Sequence, residues 1–126
     1  MAEKKRFDIY DRAFNFAVRA VKFLDKLPQS MAAVEYSRQL IKASGSIGSN
    51  MAEADGALSK KDFINKVGIA RREARESKHW LRLIEATVAT KGQFDKEELH
   101  WLINESTELM LILSAIIKNS QEQERN

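Results

Sequence analysis

Two stretches, Glu76-Ser77-Lys78-His79 and Glu97-Glu98-Leu99-His100, repeat the spacing Glu-x-x-His. In helical bundles that hold a pair of iron or manganese ions, two such motifs supply inward-facing ligands, joined by a glutamate from each remaining helix. The chemistry depends on direction. At about 100° per residue, Glu76 and His79 turn away from the line through Ala74, Ser77 and Leu81, and Glu97 and His100 turn away from Leu99, Leu102 and Ser106. The spacing therefore predicts solvated helix surface, and no metal and no cofactor are expected. Gly45-Ser46-Ile47-Gly48 has the GxxG form that clamps a nucleotide backbone in KH domains, but only within an αβ fold. In a helical chain it reads as close helix packing or a local bend. Asn50, beside it, is expected to satisfy backbone or partner groups near the apolar seam. No Ser-His-Asp arrangement can be argued from spacing, and the chain has no cysteine, which excludes thiolate metal sites, disulfides and cysteine nucleophiles. These residues point to a binding or assembly module and away from an enzyme.

The segment around residues 69–82 carries the most informative surface. Arg71, Arg75, Lys78 and Arg82 recur at four-three spacing along one flank, and Ile69, Glu73, Glu76 and Trp80 do so along the other. Like charges one turn apart cost a few tenths of a kcal/mol in an isolated helix, a cost that an opposing partner would offset. Phosphates of RNA or DNA would be gripped by such a ridge with little sequence preference, with Lys60, Lys61 and the Lys4–Arg6 arm assisting. An acidic flank of a neighbouring subunit in a head-to-tail ring is the second partner it fits, and a solvated charged face is the plain alternative. Ile69, Glu73, Glu76 and Trp80 are expected to form the oligomer interface, with Trp80, off the apolar line, as its anchor, since tryptophan is enriched at interfaces; Trp101 suits an interface or a covered bundle end.

Four helices are needed to position these groups. Pro28 ends the first, expected over about residues 8–27. Ser30 caps the second, which runs to about Ala57 with Asp55-Gly56 as its stop signal. Ser59 and Asp62 resemble a capping box opening the third, which runs to about Thr90 and closes at Lys91-Gly92. Asp95 caps the fourth, which runs to about Ser120. The short connections imply antiparallel neighbours, hence an all-α, up-down-up-down four-helix bundle, with a single domain over residues 1–126 and short flexible tails at about 1–6 and 121–126.

Each helix carries a heptad-like seam. The third reads Phe63, Val67, Ala70, Ala74, Ser77, Leu81, Ile84, Val88; the second reads Ala33, Ser37, Leu40, Ser44, Ile47, Met51, Ala54, Leu58. The first reads Tyr10, Ala13, Ala17, Ala20, Leu24, Leu27, and the fourth Leu99, Leu102, Ser106, Leu109, Leu113, Ile116. Apolar residues also fall off these lines: Phe14, Phe16, Val18, Val21 and Phe23 in the first helix, and Met110, Ile112 and Ile117 in the fourth. Such a surplus suggests burial against another subunit, or a wide stripe in an ordinary monomer.

The charge distribution agrees with a two-sided surface. The net charge of +3 is too small to identify a partner, but residues 1–30, 31–59, 60–91 and 92–126 carry +3, −1, +5 and −4. No start-to-apolar leader pattern is evident, and the longest apolar run, Leu109 to Ile117, is too short to span a bilayer. A soluble protein with no membrane partner is expected, and the lack of cysteine fits the cytoplasm.

The run from Gln39 to Ala54, QLIKASGSIGSNMAEA, resembles the second-helix signature of the bacterial 23S rRNA-intervening sequence proteins, also called four helix bundle proteins. Ser59-Lys60-Lys61-Asp62-Phe63, the stretch Ile69 to Ala74 and the stretch Glu76 to Leu83 resemble its third helix, and the similarity extends from Phe7 to about Lys118. Asn50, Glu53, Glu76 and Trp80-Leu81 are its most specific positions; Gly48 stands where many members carry proline. The resemblance implies a bundle that assembles into a homopentamer. It also implies kinship with the accessory variability protein of diversity-generating retroelements, a basic barrel that binds nucleic acid and a reverse transcriptase. No enzymatic activity is implied. The expected protein is thus a homo-oligomeric bundle that binds nucleic acid through Arg71, Arg75, Lys78 and Arg82, or else a protein-interaction scaffold whose ridge serves subunit or partner-protein contacts.

Overall fold

Ser30 and Ser59 each accept a hydrogen bond from the backbone N–H three residues on, at Ala33 and Asp62, both at 3.0 Å, and Asp95 accepts one from Glu98 at 3.0 Å. These caps satisfy N–H groups that no helical carbonyl can reach, and they fix where three of the helices begin. The computed structural model describes the backbone of residues 2–91 and 94–125 and the side chains of residues 9–90 and 94–123. Its elements are α1 (Ala2–Leu24), α2 (Met31–Asp55), α3 (Lys60–Ala86), a 3-10 turn (Val88–Lys91) and α4 (Lys96–Arg125). The expected stop at Gly92 and the side chains of the Lys4–Arg6 arm lie outside the described residues.

Helix ends differ from expectation by a few residues, for local reasons. After Leu24 the chain tightens into three-residue turns, with Lys26 and Leu27 donating to the carbonyls of Phe23 and Leu24, so α1 stops before Leu27. Thr87 ends α3 early: its hydroxyl donates to the Leu83 carbonyl at 2.6 Å and its N–H is shared between Leu83 and Ile84. α1 begins at Ala2 and α4 ends at Arg125, both further out than the spacing predicted.

Contacts between helices run in opposite senses along neighbours, which makes the bundle antiparallel. Arg12 meets Glu105 while Arg19 meets Glu98; Arg71 meets Ser114 while Glu85 meets His100. α3 packs extensively on both α2 and α4, whereas α1 packs least on α4. All eight residues of the third seam are buried, seven within α3 and Val88 in the 3-10 turn that follows it. Its Ala70, Ala74 and Ser77 let neighbouring backbones approach, and the buried Ser77 hydroxyl donates to the Glu73 carbonyl at 2.9 Å. Ser106 in α4 is treated alike, donating to Ile103 at 2.6 Å, so neither buried hydroxyl goes unbonded.

The seams of the other helices need correction. In α1 the core takes Ile9, Ala13, Phe16, Ala20, Phe23, Leu24 and Leu27, whereas Tyr10 is exposed and Ala17 only half-buried. Phe16 and Phe23, expected as surplus, belong to the core, as does Ile117 in α4, where Ile116 is half-buried. Leu58 leaves the α2 seam entirely, because α2 stops at Asp55 and the side chain is fully exposed. Ser37 is half-buried.

Candidate functional site

The four outer faces of the bundle differ in chemistry, and α3 contributes to two of them. On its α4 side stand Arg71, Arg75, Lys78 and Arg82, spaced about 4.5–6 Å apart along the axis at 1.5 Å rise per residue. Arg71, half-buried, reaches across to the Ser114 hydroxyl at 3.4 Å. Arg75 and Arg82 are exposed, Lys78 is half-buried, and none of the three has an ion-pair or hydrogen-bond partner among the described residues. Lys60 and Lys61, both exposed, extend the flank toward the start of α3, where Lys60 donates to Gln123 at 2.9 Å. The structure therefore places the six expected cations along one helix.

The cations of α1 are in the opposite condition. Arg12 grips Glu105 through two hydrogen bonds of 3.0 and 2.6 Å, and Glu105 is almost completely buried. One heptad on, Arg19 grips Glu98 in the same forked manner, with one bond at 2.9 Å, and its guanidinium lies 3.4 Å from the centre of the Trp101 ring. The bonds to Glu105 and Glu98 hold both guanidinium groups above their ordinary pKa, outweighing the opposing effect of burial. Sequence reasoning missed this pairing, although a signal was present: residues 12 and 19, and 98 and 105, share a seven-residue interval that antiparallel helices bring into register. Trp101 is thus held within the bundle, half-buried under an arginine. A double-mutant cycle on Arg12→Ala and Glu105→Ala, read by urea unfolding, should give a coupling of about 1 kcal/mol; the partial exposure of Arg12 keeps it at the low end for a forked pair.

On the α2 side of α3 lie Ile69, Glu73, Glu76 and Trp80. Ile69, Glu73 and Trp80 are half-buried and Glu76 is exposed. Trp80 packs on Tyr36 of α2, ring centres 5.8 Å apart, with His79 edge-on at 5.0 Å. Burial, then the charge of Glu76, push the Glu73 carboxyl above its ordinary 4.5, with Arg72 and Lys42 opposing. A carboxyl with a raised folded-state pKa holds its proton more tightly when folded. Its ionisation therefore removes stability as pH rises from the unfolded value through the folded one. Glu73→Gln should accordingly melt higher than the parent at pH 7, by a degree or so on the scale of surface substitutions, and the gap should close below about pH 4.

The Glu-x-x-His side chains do not converge. Glu76, His79, Glu97 and His100 are all exposed, and His100 faces Glu85 at 3.3 Å. Among the described residues no group of three His, Asp or Glu side chains could hold a metal ion. The GxxG run sits inside α2, where Asn50 donates to the Ser46 carbonyl at 2.8 Å and Gly48 lets the Tyr10 ring and Ala13 come within about 4 Å of where its Cβ would stand. Among the described residues no helix is long and apolar enough to cross a membrane.

A model of the 23S rRNA-intervening sequence proteins matches residues 5–115. The chain is also similar to a crystal structure of a protein of unknown function from the S23 ribosomal protein family of Bacteroides thetaiotaomicron. The two share 36% identity over 90% of this chain and 98% of that one, with a TM-score of 0.79. No curated protein sequence matches.

Proposed function

The chain belongs to the 23S rRNA-intervening sequence protein family, and from that premise we propose that it is a non-enzymatic, homo-oligomeric bundle that binds nucleic acid through the α3 ridge. The lack of any partner for Arg75, Lys78 and Arg82 among the described residues carries this reading. The described arginines of α1 are committed to carboxylates inside the chain, while Arg75 and Arg82 of α3 have no partner among the described residues and stand on a surface with the spacing to meet successive phosphates. The family names, 23S rRNA and S23 ribosomal protein, make RNA the first ligand to test, with DNA beside it. A pentamer is the assembly that the resemblance in α2 and α3 implies.

Fluorescence anisotropy with labelled RNA and DNA over a range of salt tests the proposal. Four ridge contacts predict a log–log salt slope of about −3 for single strands and about −3.5 for duplex, with little sequence preference. Affinity that is flat in salt would overturn it. A second reading has an observation of its own. Glu73 and Glu76 form a poorly compensated pair beside Trp80, so the ridge of one copy could meet the acidic, aromatic flank of the next. In that scaffold the ridge is spent on subunits or a partner protein, and no salt-dependent RNA binding appears.

A further inference from the structure

Gly68 stands inside α3, well clear of either end, on the line of the ridge. Residues 61, 64, 68, 71, 75, 78 and 82 keep an unbroken three-four alternation, so Gly68 falls between Lys61 and Ile64 on one side and Arg71 and Arg75 on the other. Glycine inside a helix destabilises it relative to alanine, and the internal reasons for accepting that are missing here. Gly68 has no positive φ, and α3 runs unbroken through it. Nothing lies within 4 Å of where its Cβ would stand. The residue therefore leaves a notch in the ridge that the chain itself does not fill. Gly45 of α2 is equally open, but beyond it the same line runs through Ser49 and Ala52, so cations do not bracket it.

Resting on the reading that the ridge holds nucleic acid, we infer that the sugar–phosphate backbone of the bound strand passes over α3 at Gly68, in contact with the helix main chain. Lys61 and Arg75 lie one heptad to either side, about 10 Å along the axis, both exposed and without a partner among the described residues. A strand held by both must cross the ~15 Å between Lys61 and Arg71, where only Ile64 and Gly68 stand on the line. Ile64 is half-buried against the core and Gly68 has no side chain, so the path is low between two cationic banks. The neighbouring helix adds charge. Lys60 meets Gln123 and Arg71 meets Ser114, which lays residues 114–123 of α4 along this stretch. Lys118, one turn past Ser114, is exposed and likewise without a partner among the described residues. The contact is to sugar and phosphate, so it is blind to base sequence and common to RNA and DNA.

Anisotropy with a labelled single-stranded RNA, and with a DNA strand of the same sequence, tests the inference on the intact chain, alongside thermal melts and light scattering. Gly68→Leu fills the notch with bulk that carries neither charge nor a hydrogen-bonding group. It should melt a few degrees above the parent, because it replaces a mid-helix glycine and no internal group stands against its Cβ. It should bind both strands about tenfold more weakly, with a salt slope shallower by about 0.7, the share of one phosphate contact. Gly68→Ala should also melt higher, with a smaller loss of affinity. Either variant melting below the parent would show that the bundle itself needs the glycine, and Gly68→Leu binding as tightly as the parent would show that no strand passes there; each result overturns the inference. A loss of affinity accompanied by a fall in solution mass overturns it too, placing a second copy of the chain against the notch. Arg75→Glu with Arg82→Glu separates the path from the reading it rests on. Affinity that falls in that variant but not in Gly68→Leu removes the path alone, and a parent with no salt-dependent binding removes both.

Discussion

A chain carrying Arg75→Glu and Arg82→Glu is expected to lose RNA affinity by about a hundredfold or more at 0.1 M salt while melting at or slightly above the parent temperature. Two attractions to phosphate become two repulsions. Each unit-charge contact at about 4 Å in water is worth about 1 kcal/mol, so the swing approaches 4 kcal/mol before salt screening reduces it. The fold should not suffer, because both side chains are exposed and unpaired among the described residues. At position 75 the new carboxylate would stand one turn from Arg71, Arg72 and Lys78, replacing like-charge contacts by opposite ones worth a few tenths of a kcal/mol each. Anisotropy and a thermal melt on the same sample separate the two effects. Undiminished affinity in the double variant would remove the ridge from the binding surface.

The second large effect concerns stability. Phe16→Ala should cost about 3–5 kcal/mol in urea unfolding, since the ring is completely buried and its removal leaves a cavity as well as lost transfer energy. That is a large share of the 5–15 kcal/mol typical of a whole domain. Phe14→Ala, two residues earlier, removes a ring that is 59% exposed and should cost the bundle less than about 1 kcal/mol. Comparable losses at both positions would mean that α1 is rotated about its axis from this orientation.

Helix α3 shows how much a sequence can disclose. Its seam, continued by Val88, keeps one strict spacing of apolar and small residues, flanked by charged groups with Ile69 and Trp80 among them, and that line is the one fully buried. The caps at Ser30, Ser59 and Asp95 were legible for a similar reason: each is a short side chain whose partner N–H is only three residues away. The spacing of Arg71, Arg75, Lys78 and Arg82 on one flank was equally plain, because it depends on helical geometry alone. The outward direction of Glu76, His79, Glu97 and His100 followed from the same geometry.

What the sequence left open, the packing of distant segments decided. In α1, Ala13, Ala20 and Leu27 belong to two overlapping seams, one completed by Tyr10, Ala17 and Leu24 and the other by Ile9, Phe16 and Phe23. Both are apolar, so periodicity cannot choose between them. Pairing of Arg12 with Glu105 and Arg19 with Glu98 on the α4 side, and the close approach of Tyr10 to Gly48 on the α2 side, set the rotation that sends Phe16 and Phe23 inward and Phe14 outward. The same contacts decide which arginines are available. Those of α1 and α3 look alike in sequence, but the carboxylates that occupy Arg12 and Arg19 come from α4, 93 and 79 residues away. Composition and spacing thus determined four helices and a basic flank. Only the tertiary structure decided which cations remain free and which apolar face remains uncovered, because both depend on what other helices place opposite them.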